Sequence, residues 1–195
     1  MQPNDLAFAG AVRQAELIRS GELSSREMVE LYLDRIFRLD QHLNAYREVL
    51  AEQALAEASA ADARRAAGED APLLGVPIAV KDDQDVAGVV TAKGSIAHGG
   101  PAAADEEFVR RLRAAGAVIV GKTNVPEIVI TGFTETPWYG VTRNPWAPDR
   151  TSGGSSGGSG SGSVTSSPAP AIHPSRRAFN SPSRSMLLPR PALYT

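Results

Sequence analysis

Hydrophobic positions in the first third of the chain recur at the spacing of amphipathic helices. A helix is predicted over residues 25–40, with four apolar side chains on one face that we expect to pack in the core: Met28, Tyr32, Ile36 and Leu39. Ser24 and Glu27 form a capping box at its start, since each side chain can satisfy a free N–H of the other's backbone. The alanine-rich stretch 51–67 predicts a second helix, ended by Gly68.

The hydrophobic pattern then changes to short apolar runs that are typical of buried strands. Residues 74–80 form one run, in which Pro77 indicates a strand start because it has no N–H to donate. Residues 117–120 form another run. Between them, residues 105–115 predict a helix that is acidic at its start, basic later and closed by Gly116. Strand, helix and strand in this order predict an α/β fold with parallel strands and right-handed crossovers.

Composition narrows the class of protein. The 195 residues are 42% hydrophobic and 22% charged, which predicts one substantial folded domain. A net charge of −2 gives no reason to expect a nucleic-acid or anionic-membrane partner. The absence of cysteine excludes thiolate chemistry. We expect no metal cluster, because the three histidines are few and scattered: His42, His98 and His173.

The N-terminal residues show no basic segment followed by an apolar one, and no stretch approaches the ~18 apolar residues of a membrane span. We therefore expect a cytoplasmic protein. All 22 acidic residues lie in 1–161, whereas 162–195 contains none and has four Arg, six Pro and seven Ser. This difference predicts a domain over 1–161 and a disordered tail over 162–195, because the tail has too little apolar surface to offset its ordering entropy.

One motif suggests a nucleotide hydrolase. Residues 116–123, GAVIVGKT, match the P-loop pattern letter for letter. A P-loop needs its four variable residues to curl around phosphates after a strand has ended. Here those four residues are β-branched or small and apolar, and they form the predicted strand itself. The nucleotide hydrolase therefore stays a distant alternative.

A second segment, residues 152–163, consists only of glycine and serine. One interpretation is a flexible linker, the usual role of this composition. The other is a loop whose glycines adopt dihedral angles closed to other residues, so that its N–H groups converge on developing negative charge beside a reactive hydroxyl. Composition alone leaves both open.

Lys81 follows a buried apolar strand. Most lysines are solvated surface charges, but an amine at the point where a strand leaves the core would be desolvated, which favours its neutral form and makes it a candidate base. Because side chains alternate along a strand, we expect Asp82 to point away from Lys81 and Asp83 to share its face. A close Asp83 carboxylate would oppose the neutral amine.

Four blocks together resemble the amidase signature family in order and spacing. They are GVPIAVKD at 75–82, GKTN at 121–124, YG and NPW within 139–146, and GGSSGGS at 153–159. The resemblance covers roughly residues 5–161. It implies the N-terminal portion of an α/β domain with a mixed central sheet flanked by helices. It also implies hydrolysis of small-molecule amides by a Ser–Ser–Lys triad without metal or cofactor.

Carried across by motif, Lys81 resembles the family's base, and Ser155 resembles the bridging serine that follows a cis peptide bond. In that mechanism Lys81 takes a proton from Ser155, and Ser155 takes one from the nucleophile. Backbone amides hold the oxyanion, and the proton returns to the leaving amine. Two minor departures are Ser152, where many members have proline, and Thr136, where many have asparagine.

The serious departure concerns the nucleophile. In the family it lies 24 residues beyond the bridging serine in a Gly-Gly-Ser-Ile-Arg block, and that position here is Phe179. Residues 162–195 contain no such block. We therefore expect a truncated or frameshifted fragment that is inactive alone, and translation of the gene in all three frames tests the frameshift near codon 161. The alternative is a non-enzymatic binding or regulatory fragment.

Overall fold

A computed structural model describes residue 6 and residues 9–162. Helices and strands alternate along most of this length, followed by four short strands and a terminal glycine-rich helix. The elements are α1 (Ala11–Ser20), α2 (Ser25–Leu43), β1 (Tyr46–Val49), α3 (Ala51–Ala66), β2 (Pro77–Lys81), α4 (Glu107–Ala114), β3 (Val118–Thr123), a 3-10 turn (Glu127–Val129), β4 (Glu135–Thr136), β5 (Gly140–Val141), β6 (Arg143–Asn144), β7 (Ala147–Thr151) and α5 (Gly157–Gly162).

The long helices begin and end where the sequence predicts, to within a few residues. The capping box is present: the Glu27 N–H donates to Ser24 Oγ at 3.1 Å, and the Ser24 N–H donates to Glu27 Oε2 at 2.8 Å. Helix α2 ends at Asn44, which adopts the left-handed conformation. After α3, the positive φ of 89° at Gly68 turns the chain away.

The main sheet has three strands in the order β1-β3-β2. Strands β2 and β3 are parallel, which confirms the predicted parallel pairing, and Pro77 is the first residue of β2. Strand β1 pairs antiparallel with β3, so the sheet is mixed, as the family resemblance implies. The sequence pattern did not reveal β1, because its four residues include only two apolar ones.

The apolar face of α2 packs in the core, as predicted. Met28 and Tyr32 belong to a buried cluster with side chains of α1 and Val76. Ile36 belongs to a second cluster with residues of α3 and β3, and Leu39 packs against that cluster while partly exposed. A third cluster lies on β2 and β3 near α4. The sheet is therefore held between helices.

Two alternatives fail in the structure. All six residues of β3 are buried in an extended strand, so the P-loop-like segment does not form a loop around a phosphate site. The linker interpretation of the glycine–serine segment is wrong, because residues 157–162 form α5 and four of its residues are buried. Gly162 therefore belongs to the folded part rather than to the predicted tail. The rest of that tail, 163–195, lies outside the described residues.

None of the helices in the described ranges is long and apolar enough to cross a membrane.

Candidate active site

Lys81 is the last residue of β2, where it pairs with Thr123 of the neighbouring strand. The chain then turns, and the Gln84 N–H donates to the Lys81 carbonyl at 3.1 Å. The Lys81 side chain keeps 22% of its surface exposed. It therefore leaves the sheet at the edge of the core, as its position in the sequence predicts.

Ser155 lies in the loop between β7 and α5, and the Gly154–Ser155 peptide bond is cis. The two glycines before Ser155 allow the backbone to adopt this conformation and to pack against residues 131–133. Gly153 has a φ of 91°, which disfavours residues with a side chain. A Cβ on Gly154 would lie 2.9 Å from the backbone nitrogen of Phe133. The loop therefore needs glycine at both positions before Ser155.

The structure brings Lys81 and Ser155 into contact. Lys81 Nζ donates to Ser155 Oγ at 3.1 Å, although 74 positions separate the two residues in sequence. The same Nζ lies 3.2 Å from Asp83 Oδ2, so Asp83 shares the face of Lys81, as predicted. The amine thus stands between a carboxylate and a hydroxyl.

Asp82 points to the other face of the strand, also as predicted, and its side chain is 1% exposed. Arg47 Nε lies 2.8 Å from Asp82 Oδ2, and Lys122 Nζ lies 3.3 Å from Asp82 Oδ1. Neither contact has the directional geometry of a hydrogen bond, so they are close ion pairs. Two cations therefore flank the buried carboxylate of the residue that follows Lys81.

Lys122 anchors the turn that follows Lys81. Its fully buried Nζ donates to the Gln84 carbonyl at 2.6 Å and to Thr91 Oγ1 at 2.8 Å. Burial lowers the pKa of Lys122, and the negative charge of Asp82 opposes that shift. Burial likewise raises the pKa of Asp82, opposed by its two cations. The sequence contains Lys122 in the P-loop-like match and in the GKTN block, but neither pattern predicted its contact with Asp82, and a lysine inside an otherwise apolar strand was the available signal.

The end of β3 brings α5, and with it Ser155, to the sheet. The Gly158 N–H donates to the Asn124 carbonyl at 2.9 Å, and the Asn124 N–H donates to the Ala45 carbonyl at 2.8 Å. The hydroxyls of Thr123 and Ser159 are 2.8 Å apart. A Cβ on Gly158 would overlap the Asn124 nitrogen and the Ala45 carbonyl oxygen. The close approach of α5 to β3 therefore requires glycine at 158.

The side chains at the two minor departures from the family pattern form hydrogen bonds with the backbone. Ser152 Oγ donates to the Gly157 carbonyl at 3.0 Å. Thr136 Oγ1 accepts from the Tyr139 N–H at 2.8 Å in the turn between β4 and β5. Among the described residues, no group of three or more His, Asp or Glu side chains is placed to hold a metal ion.

Comparison with known proteins identifies the family. The sequence profile of the family named Amidase matches residues 27–166. AmiB2 of Mycobacterium tuberculosis (strain ATCC 25618 / H37Rv), named as an amidase, is 61% identical over 158 residues, covering 81% of this chain and 34% of AmiB2.

Solved structures give the same result. A bacterial aryl acylamidase of the amidase signature family superposes with a TM-score of 0.72 at 32% identity, covering 77% of this chain and 32% of that one. The peptide amidase of Stenotrophomonas maltophilia superposes with a TM-score of 0.72 at 35% identity, covering 79% of this chain and 34% of that one. The chain belongs to the amidase signature family. It spans about a third of the length of these relatives, and its α/β fold is the corresponding part of theirs.

Proposed function

We propose that this chain carries the base and the bridging serine of a Ser–Ser–Lys amide hydrolase. The observation that supports the proposal is the 3.1 Å contact between Lys81 Nζ and Ser155 Oγ. Membership of a family whose relatives include a named aryl acylamidase supports the cleavage of amide bonds. The proposed substrate class is a small-molecule amide.

In the proposed reaction, neutral Lys81 accepts the hydroxyl proton of Ser155 while Ser155 Oγ accepts the proton of the attacking alcohol. The alcohol oxygen bonds to the amide carbon, and when the tetrahedral intermediate collapses the carbon–nitrogen bond breaks while the proton passes back along the same path to the leaving nitrogen. The acyl group stays on the alcohol as an ester, which water then cleaves to restore the alcohol. The Asp83 carboxylate lies 3.2 Å from Lys81 Nζ, beside the atom that takes the proton.

We further propose that the chain is inactive by itself. The position expected for the nucleophile is Phe179, whose phenyl ring has no proton to lose and no lone pair with which to attack. Phe179 lies outside the described residues. Residues of a catalytic triad act as a unit, so two of three retain little of the rate enhancement.

The test is to incubate the purified full chain with acetamide and with benzamide and to measure the ammonia released. We expect no release above that of buffer. Turnover that the Lys81→Ala variant abolishes would overturn the proposed inactivity. Turnover that survives both Lys81→Ala and Ser155→Ala would instead show that these residues are not the base and the bridging serine of the reaction.

A second candidate function is a non-enzymatic binding or regulatory module. The observation in its favour is that the chain packs a hydrophobic core of its own. Three buried hydrophobic clusters link its helices to the sheet. Thermal unfolding followed by circular dichroism separates the two candidates. A single cooperative transition supports a stable module, and the absence of one supports a damaged enzyme.

A further inference from the structure

The two ends of the loop that carries Ser155 are bridged by the side chain of Thr134. Its hydroxyl donates to the Gly153 carbonyl at 2.9 Å and accepts from the Gly157 N–H at 3.2 Å. These two groups stand at the two ends of the five-residue segment with Ser155 at its centre. A single oxygen atom thus bridges the point where the loop leaves β7 and the point where α5 begins.

Thr134 is itself fixed, so it can impose a position on the loop. It is 1% exposed, and its carbonyl accepts from the Thr142 N–H at 2.9 Å. A Cβ on Gly157 would overlap the Thr134 side chain, which shows how closely the two segments fit. Residues 131–133, just before it, pack against Gly154. The loop therefore packs closely against Thr134 and the residues just before it.

We infer that Thr134 is a positioning residue for Ser155, holding its hydroxyl toward Lys81. A loop of glycine and serine has many accessible conformations, so holding it in one of them costs backbone entropy. Two hydrogen bonds to one buried oxygen restrict both ends of the loop. The inference rests on the proposed function for the chemical role of Ser155, but the contact itself can be tested without turnover.

The experiment uses the lysine content of the full chain, which has three lysines: Lys81, Lys93 and Lys122. Labelling with lysine carrying ¹⁵N at Nζ gives three side-chain NMR signals, assigned by single Lys→Arg variants. Ser155→Ala removes the contact directly and defines the displacement of the Lys81 signal that loss of the contact produces.

The test variant is Thr134→Val, which keeps the shape of the side chain and removes the hydroxyl. We expect the Lys81 signal to move in the direction set by Ser155→Ala, while the Lys93 signal stays in place. Amide hydrogen exchange at Gly157 should become at least tenfold faster because its N–H loses its acceptor. Thr134→Ser, which keeps the hydroxyl, should leave the Lys81 signal at its original position.

The matched control is Thr142→Val. Thr142 is also fully buried, and its hydroxyl donates to the Asn44 carbonyl at 2.6 Å rather than to the loop. It should lower stability without moving the Lys81 signal. An unmoved Lys81 signal in Thr134→Val, or equal movement in both Val variants, would overturn the inference.

If Thr134→Val does not fold, Thr134→Ser and Thr134→Ala provide the same comparison, since they differ only in the hydroxyl. Identical Lys81 signals in that pair would also overturn the inference. Failure of the proposed function would be read separately, from the release of ammonia. Neither result can therefore be mistaken for the other.

Discussion

The turn after Lys81 and the loop around Ser155 bring one side chain each to the same point, but different forces hold them. The turn is anchored by buried charges, with Lys122 and Arg47 around Asp82. The loop is anchored by neutral hydroxyls and by positions where a side chain is absent. The turn should lose stability when one charged partner is removed, because another charge is then left buried and unpaired. The loop should lose stability when a side chain is added at a closely packed glycine, because the neighbouring atoms must move.

Lys122→Met should be the most damaging change to the turn. Methionine fills a similar volume, so the loss is mainly electrostatic: Asp82 keeps only Arg47, and the Gln84 carbonyl loses its donor. We expect the free energy of unfolding to fall by about 3 kcal/mol, the lower end for breaking a buried ion pair, because one cation remains. Urea denaturation followed by circular dichroism measures it.

Lys81→Met is the matched control, since it removes a lysine from the strand that pairs with β3. Lys81 is partly exposed and contacts Asp83 and Ser155 only at its tip. Its loss should cost about 1 kcal/mol or less. Equal losses for the two variants would contradict the view that buried charge holds the turn.

Gly158→Ala tests the loop side of the comparison. The added methyl would overlap the backbone of Asn124 and Ala45, so α5 must move away from β3. Overpacking of this kind costs typically about 1–3 kcal/mol, and the displacement should also move the ¹⁵N signal of Lys81. Denaturation and the same NMR spectrum give both readouts.

Gly160→Ala is the control within the same helix. The nearest atom to its added Cβ is the Ser152 carbonyl oxygen at 4.0 Å, and Gly160 is exposed. Alanine should leave stability unchanged or raise it by about 0.5–1 kcal/mol, because glycine in a helix is entropically unfavourable. A loss of stability at both positions would show that α5 tolerates no alanine, whatever the local space.

Much of this arrangement could be predicted from the sequence, because local patterns specify it. Helical periodicity gave the face of α2, strand alternation gave the opposite directions of Asp82 and Asp83, and the family resemblance gave Lys81 beside Ser155. The first two features depend on neighbours in the chain and can be predicted without knowledge of the tertiary fold. The third joins residues 74 positions apart, and only the resemblance to the family predicted it.

The anchors could not be predicted, because they join segments distant in sequence. Thr134 contacts residues 19 and 23 positions away, and Arg47 reaches Val90 at 43 positions. A threonine or arginine in those places carries no local signal of its partner. For the same reason the sequence could not decide whether the glycine–serine segment is a linker or an ordered loop. Its order comes from packing against Asn124, which is distant in sequence.

Asp40 allows a test by pH, because its carboxylate holds the junction between α2 and β1. It accepts from the Ala45 N–H at 2.6 Å, and the Ala45 carbonyl in turn accepts from the N–H of Asn124, the residue to which α5 is hydrogen-bonded. Burial raises the pKa of Asp40 above its ordinary value of 3.8, opposed by the hydrogen bonds from Ala45 and Tyr46. The folded protein therefore binds this proton more tightly than the unfolded chain.

That sign fixes the pH dependence. The stability that protonated Asp40 contributes is fully present below pH 3.8 and is lost as pH rises through the raised folded pKa. Asp40→Asn cannot titrate, so the unfolding free energy of the native chain minus that of the variant should decrease from pH 3.8 toward neutrality. Denaturation at a series of pH values gives this difference. An increase would mean that the N–H donors of Ala45 and Tyr46 outweigh burial, so that this junction, like the Lys81 turn, is held by its charge.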